Sequence, residues 1–93
     1  MSQDKIFEAL ASSPRRQILA FLSERELSAG DIAARFEMSA PAVSRHLSVL
    51  VNAGLISSER RGQFVVYKLM PDSLALKMVE RQGRRFRAGP HNA

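Results

Sequence analysis

Apolar residues recur at steps of three and four along the first half of the chain. After Gly54 the period changes, so the pattern predicts helices first and strands second. The helical step is clearest from Glu37 to Ile56, EMSAPAVSRHLSVLVNAGLI. Val43, Leu47 and Leu50 share one stripe, whereas Pro41, Arg45, Ser48 and Asn52 point the opposite way. Ser39 stands at the N-cap, where its hydroxyl can accept an orphan first-turn amide, and Pro41 is tolerated just inside the start. Gly54 fits a left-handed stop. The segment predicts a helix from about Ala40 to Ala53, anchored by one face and open on the other.

Three shorter helices are expected before it. Ile6, Phe7 and Leu10 give the stretch from Asp4 to Ala11 an apolar side that needs a cover. Ser13 and Pro14 open a second helix to about Ser23, buried through Ile18, Leu19 and Leu22. Arg15 and Arg16 in its first turn sit at the end where the helix dipole is already positive, so they are either solvated or compensated by an external phosphate. Ser28 with Asp31 resembles a capping box for a third helix, with Ile32, Ala33 and Phe36 inward and an end near Glu37.

Beyond Gly54, Leu55 to Glu59 and Phe64 to Leu69 are rich in branched and aromatic residues and flank Arg60-Arg61-Gly62-Gln63, the pattern of a β-hairpin with a basic tip. Pro71 and Asp72 then open a last helix through about Phe86, carrying Leu74, Met78 and Val79. The fold class is mainly α with a small β-hairpin: a winged helix-turn-helix of about five helices and a two-stranded wing. Residues 1–87 make one domain, and 88–93 are expected to be a disordered tail.

Composition narrows the picture. A chain of 93 residues buries only about 60 to 65% of its unfolded surface, so its core is marginal alone. Ile6, Phe7, Leu10, Leu74, Met78 and Val79 exceed what such a core absorbs, and they form the expected homodimer interface; the other reading is that they cap the monomer core. The net charge of +5 mildly favours a polyanionic partner, and a dimer would double it. Arginines between Arg81 and Arg87 either complement the helix dipole or add nonspecific DNA affinity. With no cysteine, disulfides, thiolate metal sites and thiol redox sensing are excluded. MSQDKIFEAL reads as neither signal peptide nor membrane span, so the expected location is cytoplasmic. No catalytic set assembles either: there is no Gly-rich phosphate loop and no pair of inward carboxylates, so an enzyme is not expected.

A helix fits the major groove of DNA, and side chains near its amino end reach base edges. On the segment from Ser39 the candidates are Ser39, Ala40, Pro41, Ala42, Ser44, Arg45, His46 and Ser48. Arg45 alone can make a bidentate contact to guanine, or else it meets phosphate; Ala40 and Ala42 offer methyl contacts to thymine. His46 lies on the shoulder of the buried stripe, in a structural or phosphate-contacting role. Arg60, Arg61 and Gln63 are wing contacts to the minor groove or backbone, or a solvated tip. The partner this predicts is double-stranded DNA. The alternative is a winged-helix module that binds protein or RNA without reading DNA.

The order AL-x-x-PRRQIL, EL-SAG-DIA, S-x-x-x-VS-x-HL-x-x-L-x-x-AGLI and RRG-x-x-x-YKL resembles the ArsR/SmtB family of bacterial transcriptional repressors, over roughly Ile6 to Leu76. Within the family it is most similar to the short, metal-independent autorepressors of the SdpR type. The resemblance implies a two-fold dimer built on the first and last helices, and hence an inverted-repeat operator with half-sites about 34 to 36 Å apart. Metal-sensing members carry Cys-Val-Cys after Glu-Leu, whereas here Glu26-Leu27 is followed by Ser28-Ala29-Gly30. The family's other site begins Asp-x-His on the last helix, whereas here Asp72-Ser73-Leu74 lacks the histidine and the later His91 falls in the tail. No metal site and no cofactor are expected. The protein either represses constitutively or answers to a small-molecule or protein inducer.

Overall fold

The computed structural model of the protein describes residues 2–70. The elements are α1 (Ser2–Leu10), α2 (Ser13–Glu24), β1 (Leu27–Ser28), α3 (Ala29–Ala33), α4 (Ala40–Asn52), β2 (Ile56–Arg61) and β3 (Phe64–Leu69). The last helix expected from Pro71, with Leu74, Met78 and Val79, and the tail lie outside the described residues. Among those described, no helix is long and apolar enough to cross a membrane.

The periodic residues meet in one core. Ile18, Leu19 and Leu22 of α2, Ile32 of α3 and Val43, Leu47 and Leu50 of α4 are buried together with Ala9, Leu27, Leu55 and Ile56. The α4 stripe is thus the anchoring face expected of it. Ser39 caps α4 by accepting the Ala42 amide at 3.2 Å. At the other end Gly54, with φ of 78°, closes a Schellman motif: its amide donates to Val51 O at 2.9 Å and the Leu55 amide donates to Leu50 O at 3.1 Å. That turn redirects the chain, so Leu55 and Ile56 enter the core on the way into β2.

The second helix opens at Ser13 as expected, capped by Ser12, whose hydroxyl accepts the Arg15 amide at 3.4 Å, with Pro14 in the first turn, where its missing amide costs no hydrogen bond. Two details depart from the sequence expectations. The third helix stops at Ala33, short of Glu37. Its capping box is present, but Arg35 and Phe36 donate to Ile32 O and Ala33 O, tightening the end of the helix into three-residue turns. This brings Phe36 to 5.8 Å from the Phe21 ring, and the Arg35 guanidinium lies 5.4 Å above Phe21 while donating to Asp31 O at 2.8 Å. Finally, the two-stranded wing gains a third strand, in the order β1-β3-β2, because Leu27 and Ser28 pair antiparallel with Tyr67 and Val66.

The hairpin register runs from Ile56 opposite Leu69 to Arg61 opposite Phe64, leaving Gly62 and Gln63 as a two-residue turn. Gly62 has φ of 63° and no other residue in the turn has positive φ, the type II′ pattern that matches strand twist. Both arginines therefore belong to β2 rather than to the turn.

Candidate nucleic-acid interface

The predicted contacts lie on the open face of α4 and at the tip of the wing. Ser39, Ala40, Pro41, Ser44, Arg45 and Ser48 are exposed, and Ala42 and His46 are half-buried. Arg45 makes no hydrogen bond or ion pair with a described residue, so its guanidinium is available to an external acceptor. The other exposed side chains of α4 are Ala40, Pro41, Ser44, Ser48 and Asn52, all uncharged and none large and apolar. No acidic or large apolar group on this face would repel or obstruct a DNA backbone.

His46 is held differently from its neighbours. Its Nδ1 lies 3.1 Å from Nη1 of Arg15, a residue distant in sequence. A guanidinium only donates, so Nδ1 accepts and the ring is neutral there. Burial, followed by the charges of Arg15 and Arg45, holds the His46 pKa below its ordinary value. Arg15 also donates from Nε to Ala9 O and from Nη2 to Glu8 O, both at 2.8 Å, while Arg16 donates from Nη1 to Leu10 O at 2.8 Å. The two arginines are neither simply solvated nor dependent on an external phosphate. They are misplaced with respect to the dipole of α2, yet they satisfy the last-turn carbonyls of α1, where cations are favoured.

The wing arginines differ from each other. Arg61 lies between two carboxylates, 3.0 Å from Glu26 and 3.0 Å from Glu59, and these raise its pKa above the ordinary arginine value, Glu59 most. Arg61 is thus exposed at the tip but held by two carboxylates rather than only solvated. Arg60, opposite Val65, is exposed and makes no ion pair among the described residues. Gln63 is exposed in the turn, and Phe64 beside it is 58% exposed. Phe64 was counted among the strand's apolar residues, and only its position at the very end of the pairing register marks it as uncovered.

On α1, Ile6 and Leu10 are partly buried against the core, but Phe7 is 65% exposed. Its aromatic surface is the most exposed large apolar group in the described chain. Among the described α1 residues, Ile6 and Leu10 thus contribute partly to the monomer core, whereas Phe7 remains uncovered by it.

Comparison with known proteins agrees with this geometry. The description "bacterial regulatory protein, arsR family" matches residues 12–58. The transcriptional repressor SdpR of Bacillus subtilis is 42% identical over 66 residues, which are 71% of this chain and 73% of that protein. The structure of HlyU from Vibrio cholerae superposes with a TM-score of 0.81 at 33% identity, covering 91% of each chain. A homodimeric winged helix-turn-helix DNA-binding domain from Mycobacterium bovis superposes with a TM-score of 0.79 at 25% identity, over 94% of this chain and 81% of that one. The core, the capped α4 and the wing are thus those of a winged helix-turn-helix regulator, and the chain belongs to the ArsR family of bacterial regulatory proteins.

Proposed function

We propose that this protein is a homodimeric, sequence-specific DNA-binding repressor that occupies an inverted-repeat operator without the family's cysteine metal switch. The observation that carries this reading is α4: a capped helix whose buried stripe fixes it to the core while an unpaired Arg45 stands among Ala40, Pro41, Ser44 and Ser48 on its open face. Laid in the major groove, that face brings Arg45 to guanine and Ala40 and Ala42 to thymine methyls, with Ser39, Ser44, Ser48 and His46 near the backbone. The wing then brings Arg60, Arg61 and Gln63 to the flanking groove. Phe7, with the apolar residues Leu74, Met78 and Val79, supplies the two-fold contact, and the homodimeric relative supports that assembly. Ser28 stands where metal-sensing members have thiolates, and its hydroxyl is committed to the Asp31 amide at 3.1 Å. SdpR, named a repressor, favours repression over the activation attributed to HlyU.

Footprinting on the DNA upstream of the protein's own gene, with and without added metals, tests the reading. A symmetric footprint insensitive to metals, together with reduced transcription from that promoter, is expected. An absent footprint would favour a protein- or RNA-binding module, and increased transcription would make the protein an activator.

A further inference from the structure

The contact between Arg15 and His46 joins three elements whose arrangement matters for binding DNA. The guanidinium spans the last turn of α1, through Glu8 O and Ala9 O, and the Nδ1 of His46 on α4. All three acceptors lie within 2.8 to 3.1 Å, and each is met by a different nitrogen. Because Nδ1 is the acceptor, the proton of the neutral ring resides on Nε2. That nitrogen makes no hydrogen bond with a described residue. His46 is half-buried on the shoulder of α4, next to the exposed Arg45.

We propose that Arg15 is a positioning residue for DNA binding, seating α4 against the end of α1 and keeping His46 in the tautomer whose Nε2–H is free to donate to a backbone phosphate. The proposal rests on the DNA-binding reading and deepens it. A dimer contact made by α1 and a groove contact made by α4 are then linked through one side chain, so the spacing of two reading helices in a dimer is set partly by Arg15. Lysine could not replace it, because a single ammonium cannot meet three acceptors in this planar arrangement.

The test uses the full chain and two readouts. Nitrogen-15 NMR of the histidine ring, above pH 7, should show the Nε2–H tautomer of His46 dominant in the wild type, and a mixture of tautomers in both Arg15→Met and Arg15→Lys. Operator affinity should fall by about 2- to 30-fold in Arg15→Met, the range for residues that act through another. His46→Gln should also lose affinity, and the double variant should lose less than the product of the two single losses. If Arg15→Met does not fold, Arg15→Lys and the wild-type tautomer carry the test. A wild-type ring protonated on Nδ1, or losses that simply multiply, would overturn the proposal. Full operator affinity in a folded Arg15→Met would overturn the positioning role while leaving DNA binding intact. A wild type that shows the tautomer yet prefers no operator would instead overturn the DNA-binding reading and, with it, any positioning for DNA.

Discussion

Gly54 separates the cost of a left-handed backbone from the cost of crowding. Its φ is 78°, and a Cβ placed on it meets no heavy atom within 4 Å. Gly54→Ala therefore introduces no clash, only the penalty of holding an L-residue in the left-handed region, about 1 to 2 kcal/mol. Gly30 is the control. It lies within α3 with no positive φ, and its added Cβ would sit 3.9 Å from Ser28 Oγ, an ordinary contact. There alanine removes the conformational cost of a helical glycine, a gain of about 0.5 to 1 kcal/mol. Two glycine-to-alanine changes in one small domain should thus have opposite signs. For a domain of this size each kcal/mol moves Tm by roughly 4 to 8 °C, so thermal melts at one fixed protein concentration should show Gly54→Ala below the wild type and Gly30→Ala at or above it. Gly54→Asn should fall between Ala and wild type, since asparagine tolerates the left-handed region better. An unchanged Tm for Gly54→Ala would refute the assignment of the helix stop, and with it the reason α4 turns sharply into β2.

Other measurements probe the remaining interactions. Because the His46 pKa is lowered from 6.5 in the folded protein, the unfolded chain binds more protons below that value; stability should be complete above about pH 6.5 and fall as the pH drops through it. Denaturant titrations between pH 7 and 5 should show this slope reduced in His46→Gln, and an identical slope would remove His46 as its source. Arg60→Ala should weaken binding to every sequence and flatten the salt dependence by roughly one unit per wing. Arg61→Ala should flatten it less, since that charge is already shared with Glu26 and Glu59; equal slopes would mean that Arg61 leaves both carboxylates on binding. Phe7→Glu should dissociate the proposed dimer in sedimentation, because losing burial of about 1.5 to 3 kcal/mol on each side raises the dissociation constant by roughly 10²- to 10⁴-fold. An unchanged profile would take Phe7 out of the interface.

The parts legible in the sequence were those written in local chemistry. Ser39, the stripe of Val43, Leu47 and Leu50, and Gly54 each act through neighbours a few residues away, so spacing alone placed α4 and its open face. The capping box of Ser28 and Asp31 was legible for the same reason. The end of α3 was not, because Phe36 leaves the helix to meet Phe21, a tertiary contact that competes with continued periodicity. A strand of two residues such as Leu27–Ser28 carries no period to detect. Arg15 and Arg16 looked misplaced on the dipole of their own helix because their acceptors belong to the preceding one. The short link between the two helices was the available signal: it puts the start of α2 beside the carbonyl end of α1. Arg60 and Arg61 are adjacent and chemically identical, and only the strand register sends Arg61 toward Glu26 and Glu59.

The central claim is that the open face of α4 reads sequence through Arg45. Titration of operator and random duplexes with the wild type and Arg45→Ala, at one salt concentration, tests it most directly. The predicted result is a loss on the operator of about 1 to 3 kcal/mol per half-site, or roughly 5- to 150-fold, with a much smaller loss on random DNA. Equal losses on both duplexes would assign Arg45 to the phosphate backbone and contradict the account.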